Sequence, residues 1–82
     1  MQKIVKVVIN KVYYGNDLKE LKDALDKELA NMYVFVSNKI NTTISLGSDG
    51  IKNSGNTTLY NIVARFCTKH GGRIISITNK DF

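Results

Sequence analysis

Residues 47–72, GSDGIKNSGNTTLYNIVARFCTKHGG, constrain this 82-residue chain more than any other stretch. A Gly/Ser/Asn loop delivers the backbone into an amphipathic helix, and a pair of glycines stops it. Leu59, Ile62, Val63, Phe66 and His70 fall at i, i+3, i+4, i+7 and i+11, one stripe of a 3.6-residue period. Asn56, Thr57 and Thr58 offer side-chain oxygens to the first free N–H groups, which puts the helix start there. Lys69 and His70 complement the negative end of the helix dipole, and Gly71 supplies the left-handed residue that ends it. A helix with one apolar stripe needs another layer to cover it. The rest of the chain reads as that layer.

Residues 2–14 alternate as a long strand, with Val5, Val7 and Ile9 on one continuously apolar face. Ile4, Lys6, Val8, Asn10 and Val12 make the mixed face, and Tyr13 and Tyr14 close the strand before Gly15. Residues 16–32 read as a helix striped by Leu18, Leu21, Leu25, Leu29 and Met32, with Ala24 beside them. Asp17 and Glu20 have capping-box spacing, with Asn16 as the alternative cap. Lys19–Asp23, Lys22–Asp26 and Asp23–Lys27 are opposite charges at i,i+4. Residues 33–37 form a short strand, Asn38-Lys39 a tight turn, and residues 41–46 a returning strand. Thr42, Ile44 and Leu46 face one way, and Thr43 and Ser45 the other. After the second helix, residues 73–78 are the last strand, with Ile75 and Ile77 on one face and Ile74, Ser76 and Thr78 on the other; 79–82 read as a tail.

This β-α-β-β-α-β order over residues 1–82 describes one α+β domain. Right-handed crossovers and helices on one face yield a four-stranded antiparallel sheet of ferredoxin-like type, with the first and third strands central. A phosphocarrier-like open-faced sandwich shares the element order and is the alternative topology. That family's phosphorylated histidine after the first strand has no counterpart, since residues 13–18 contain no His.

Composition narrows the classes. No apolar run reaches membrane-spanning length and no signal-peptide pattern opens the chain. Cys67 is the one cysteine, so no intrachain disulfide forms and a reducing, cytoplasmic setting is expected. The net charge is +5, and its layout matters more than its size. Residues 17–32 hold five of the seven acids, so the remainder, with nine Lys/Arg against two Asp, is strongly basic.

No catalytic set emerges. There is one His, and the carboxylates cluster on a charged helix face where burial cannot raise a pKa. Cys67 and His70 have C-x-x-H spacing, but two ligands make no zinc site, and both sit where the helix dipole opposes a thiolate. They read as a packed thiol and a helix-end histidine, and neither metal nor cofactor is expected. The loop has phosphate-loop spacing, glycine-x4-glycine from Gly50 to Gly55 followed by Asn56 and Thr57. Asn56 replaces the motif lysine, so the stretch reads first as a crossover loop. An anion site at Gly50, Gly55, Asn56 and Thr57 is the alternative.

The expected function is therefore that of a small, basic, non-enzymatic binding module. One reading is nucleic-acid binding through the open sheet face. Lys6 and Asn10 would lie on that face, with Lys39, Lys52, Arg65, Lys69, Arg73 and Lys80 around it. The alternative is a protein-interaction or inhibitor module, binding a partner or forming a homodimer through Ile4, Val8, Val12 and Ile74 on the same face. Periodicity leaves open which pair of the first hairpin strand joins that face, Tyr33/Phe35 or Val34/Val36. Aromatic residues there would offer stacking surfaces to bases.

Overall fold

The computed structural model describes residues 3–29, 32–47 and 55–81. In chain order the elements are β1 (Lys3–Ile9), α1 (Asn16–Leu29), β2 (Tyr33–Ser37), β3 (Thr42–Gly47), α2 (Gly55–His70) and β4 (Ile74–Asp81). The strands form one sheet in the order β2-β3-β1-β4, and every neighbouring pair is antiparallel. β1 and β3 are central, the ferredoxin-like arrangement expected from the element order.

One core fixes the layers. Val5, Val7 and Ile9 of β1 and Ile44 and Leu46 of β3 are buried against Leu21 and Leu25 of α1 and Leu59, Val63, Phe66 and Cys67 of α2. Both helices therefore cover the same sheet face. Each fully buried Leu, Ile or Val contributes roughly 1.5–3 kcal/mol of transfer free energy. The alternation read from β1 and β3 places these residues correctly.

Several boundaries differ from the sequence expectation. β1 ends at Ile9, not Tyr14. Asn10 leaves the ladder, yet its N–H still donates to Arg73 O (3.0 Å) and its Oδ1 accepts the Arg73 N–H (2.6 Å). Beyond it, the backbone is captured by a side chain of the neighbouring hairpin. Thr42 is fully buried; its Oγ1 donates to Lys11 O (2.8 Å) and accepts the Tyr13 N–H (3.1 Å). This turns Tyr13 into the core, where its ring meets Phe66 edge-on at 4.7 Å and its hydroxyl donates to Gly71 O. Tyr14 is left exposed.

α1 stops at Leu29, so Met32 lies outside it and is exposed rather than part of the stripe. Asp17 sits within the first turn, and Glu20 reaches α2 instead of closing a capping box. Of the i,i+4 pairs expected on α1, Lys22–Asp26 (3.9 Å) is the one within ion-pair distance among the described residues. The β2–β3 turn spans 38–41, closed by Asn38 N–H to Asn41 O (3.1 Å) and by Asn38 Oδ1 accepting from Ile40 and Asn41 N–H. α2 begins at Gly55, just ahead of the expected caps, and ends at His70, where Gly71 follows with a left-handed φ of 82°.

β4 is longer than expected. Residues 79–81 continue the strand opposite Val5, Ile4 and Lys3, because pairing with a central strand overrides their low strand propensity. Its face assignment is also corrected. Ile74 and Ile77 both pack against the core although they are three apart. A register shift opposite Val8/Ile9 supplies the extra residue, and Ile75 is left exposed.

Candidate binding surface

The sheet face opposite the helices is built in rows across the strands. One row is Val34–Ser45–Lys6–Thr78, and the next is Val36–Thr43–Val8–Ser76. Parity along β2 resolves the question left by the sequence. Tyr33 and Phe35 pack on the core side, their rings 5.1 Å apart, so Val34 and Val36 occupy the open face, 61% and 50% exposed. The outcome follows from α1, which covers β2: the Tyr33 hydroxyl donates to Lys22 O (2.9 Å) and to Asp26. Burial first, and then the Asp26 hydrogen bond, push the Tyr33 hydroxyl well above the ordinary tyrosine range. Among the described side chains the open face therefore consists of β-branched apolar groups, hydroxyls and the Lys6 ammonium, with Ile4, the cross-strand neighbour of Lys80, half-buried beside them.

Among the described residues, those expected to bind nucleic acid lie on different parts of the fold. Lys6 is exposed at the centre of a row. Asn10 is committed to the Arg73 backbone. Lys39, in the β2–β3 turn, and Arg73, before β4, lie off one end of the sheet, since Thr42, Ile9 and Ile74 are cross-strand neighbours. Arg65 and Lys69 belong to the helix layer, where they border a groove between α1 and α2 with Glu20, Ala24 and Ile62. Lys69 pairs with Glu20 at 3.2 Å. Val12 follows β1 as a half-buried residue outside the strand. Lys52 and Gly50 lie outside the described residues, and Gly55, Asn56 and Thr57 form the first turn of α2. The Lys80 backbone pairs with Ile4 in β4.

Cys67 and His70 do not form a ligand pair. The thiol is buried, and burial raises its pKa, so thiolate is disfavoured. The His70 ring lies 4.7 Å from the Phe66 ring and its Nε2–H donates to Glu20 Oε2 (2.8 Å). That contact, with the one from Lys69, holds the Glu20 carboxyl below the ordinary range. Among the described residues no three of His, Cys, Asp or Glu gather as metal ligands, and no helix is long and apolar enough to cross a membrane.

Sequence reasoning missed the contacts that organise the turn end of the sheet. Lys11 Nζ donates to His70 O (2.6 Å), placing a cation at the negative end of α2. The Thr42 and Tyr13 hydroxyls tie the same segment to β3 and α2. The one legible signal was a threonine on the apolar side of a strand. No family model, curated protein or solved structure matches the chain.

Proposed function

We propose that the protein is a non-enzymatic interaction module whose open sheet face docks onto a protein surface. The observation that carries this reading is the orientation of β2. It puts Val34 and Val36, not Tyr33 and Phe35, on the face with Val8 and Ile4. A face whose described side chains are valines, hydroxyls and Lys6 matches an apolar protein patch with a few polar contacts. It offers no aromatic stacking platform for bases, and Arg65 and Lys69 lie on the opposite layer. The lone, buried Cys67 fits a reducing, cytoplasmic setting.

The test is an anisotropy titration with short fluorescent single- and double-stranded DNA and RNA at low salt, beside retention of proteins from nuclease-treated lysate. The expected result is no saturable nucleic-acid binding, and protein retention that survives moderate salt and is lost in Val8→Lys. Saturable nucleic-acid binding that falls steeply with salt and is weakened by Lys6→Ala would overturn the reading in favour of phosphate recognition.

A further inference from the structure

Among the described residues no strand lies beyond β2 or β4, and the two outer strands of the sheet differ. β4 carries a register shift opposite Val8/Ile9, a device that blunts edges. β2 has none: Tyr33–Ser37 pairs residue for residue with β3, and its sequence YVFVS contains no charge, proline or glycine. Its outward groups can be assigned. Asn38 and Asn41 form a hydrogen-bonded pair closing the turn. Alternation from that pair leaves Ser37, Phe35 and Tyr33 at non-bonded positions with β3, so their N–H and C=O groups point to the free edge.

We propose that two copies of the chain join antiparallel along β2, about a two-fold axis at Phe35. In this register Phe35 faces Phe35 of the second copy, Tyr33 faces Ser37, and Val34 faces Val36. Every outward N–H then meets an outward C=O. The valine pairs fall at the non-hydrogen-bonded positions, where side chains approach most closely. A shift by one residue sets outward groups against inward ones, and a shift by two strands an end residue. The side-chain pattern Val-Phe-Val reads the same in both directions, as an isologous contact requires. A second copy is thus a partner this edge is built to match.

Charge permits it. Although each chain carries +5, β2 carries none, and the α1 flank above it presents the mixed pair Lys22–Asp26. The two-fold brings such flanks together antiparallel, with both signs on each. The contact is small: a five-residue strand is about 17 Å long, which puts the buried area at a few hundred Å² per copy. That is the weak end of specific interfaces, so the dimer is reversible and concentration-dependent. It joins two open faces into one continuous surface. Val34 and Val36 border both this edge and the face that carries the proposed function, but Val8 lies on β1 with β3 between it and the edge, so Val8→Lys should abolish partner docking and leave the dimer intact.

Light scattering across a concentration series tests this on wild type, on Val34→Lys/Val36→Lys and on Val34→Glu/Val36→Glu. Both positions are exposed, and circular dichroism checks the fold. The wild-type mass should rise from one chain to two. Each double variant sets like charges opposite one another, so its dimerisation should weaken by about tenfold or more. An equimolar mixture of the two should regain the two-chain mass. If a variant misfolds, oxidising a mixture of Val34→Cys and Val36→Cys chains should give more disulfide dimer than either alone. A wild type that stays at one chain, a lysine variant that dimerises like wild type, or a mixture of folded variants that fails to pair would overturn the proposal. Cross-linking equal in the mixture and in the single variants would also overturn it.

Discussion

Thr42 shows how much one hydroxyl decides. It is fully buried on the apolar side of β3, and it accepts the Tyr13 N–H, donates to Lys11 O and lies 3.2 Å from Ser37 Oγ. Thr42→Val keeps the shape and strands both backbone groups, so it should destabilise the fold by about 1–3 kcal/mol. A lower urea midpoint at unchanged m-value reports this, and an unchanged midpoint would show that the contacts are dispensable. Tyr13 and Tyr33 add a pH dependence. Burial is the main cause raising both hydroxyls, followed by the Cys67 and Asp17 charges for Tyr13 and the Asp26 contact for Tyr33. The unfolded phenols ionise near about pH 10 while the folded ones resist. Their stabilising contribution is thus complete below that pH and is lost as pH rises through the folded values. Urea midpoints should fall across this alkaline range, and less so in Tyr33→Phe; equal losses in both proteins would contradict the assignment.

At the scale of elements, the periods of two and 3.6 were legible because each element buries one face. Val5, Val7 and Ile9 needed nothing more than alternation, and the Leu59–Phe66 stripe nothing more than the helical period. What stayed hidden was set by partners distant in sequence. Continuing apolar residues extend the strand pattern of β1 to Tyr14, yet Thr42 captures the backbone from the next hairpin. A bulge, invisible to alternation, exchanges Ile74 for Ile75. The junction from α2 into β4 carries a local prediction. Gly72 has φ 86°, and a Cβ there would lie 2.6 Å from the Tyr13 hydroxyl oxygen and 3.3 Å from Ile9 Cγ2. Gly15 is also left-handed, but a Cβ there meets nothing within 4 Å. Gly15→Ala should therefore cost only the backbone term of about 1–2 kcal/mol, and Gly72→Ala clearly more. Equal losses in urea unfolding would contradict the packing at this junction.

Over the whole molecule, composition does not reveal how the charges are distributed. A chain of +5 with its acids gathered in α1 reads as basic, but among the described residues the cations occupy different layers. Lys6 is central on the open sheet, Lys39 and Arg73 lie at one end, and Arg65 and Lys69 border the helix groove. The ferredoxin-like topology was legible from element order. The character of its open face was not, because YVFVS is apolar at every position but the last and its parity depends on which side α1 covers. The central claim is that this face and the β2 edge associate through apolar and backbone contacts. Light scattering at low and moderate salt, with and without short DNA and RNA, tests it most directly. The account predicts a mass that rises with protein concentration, does not fall with added salt and ignores nucleic acid. Comigration with nucleic acid at low salt that vanishes at moderate salt would contradict it.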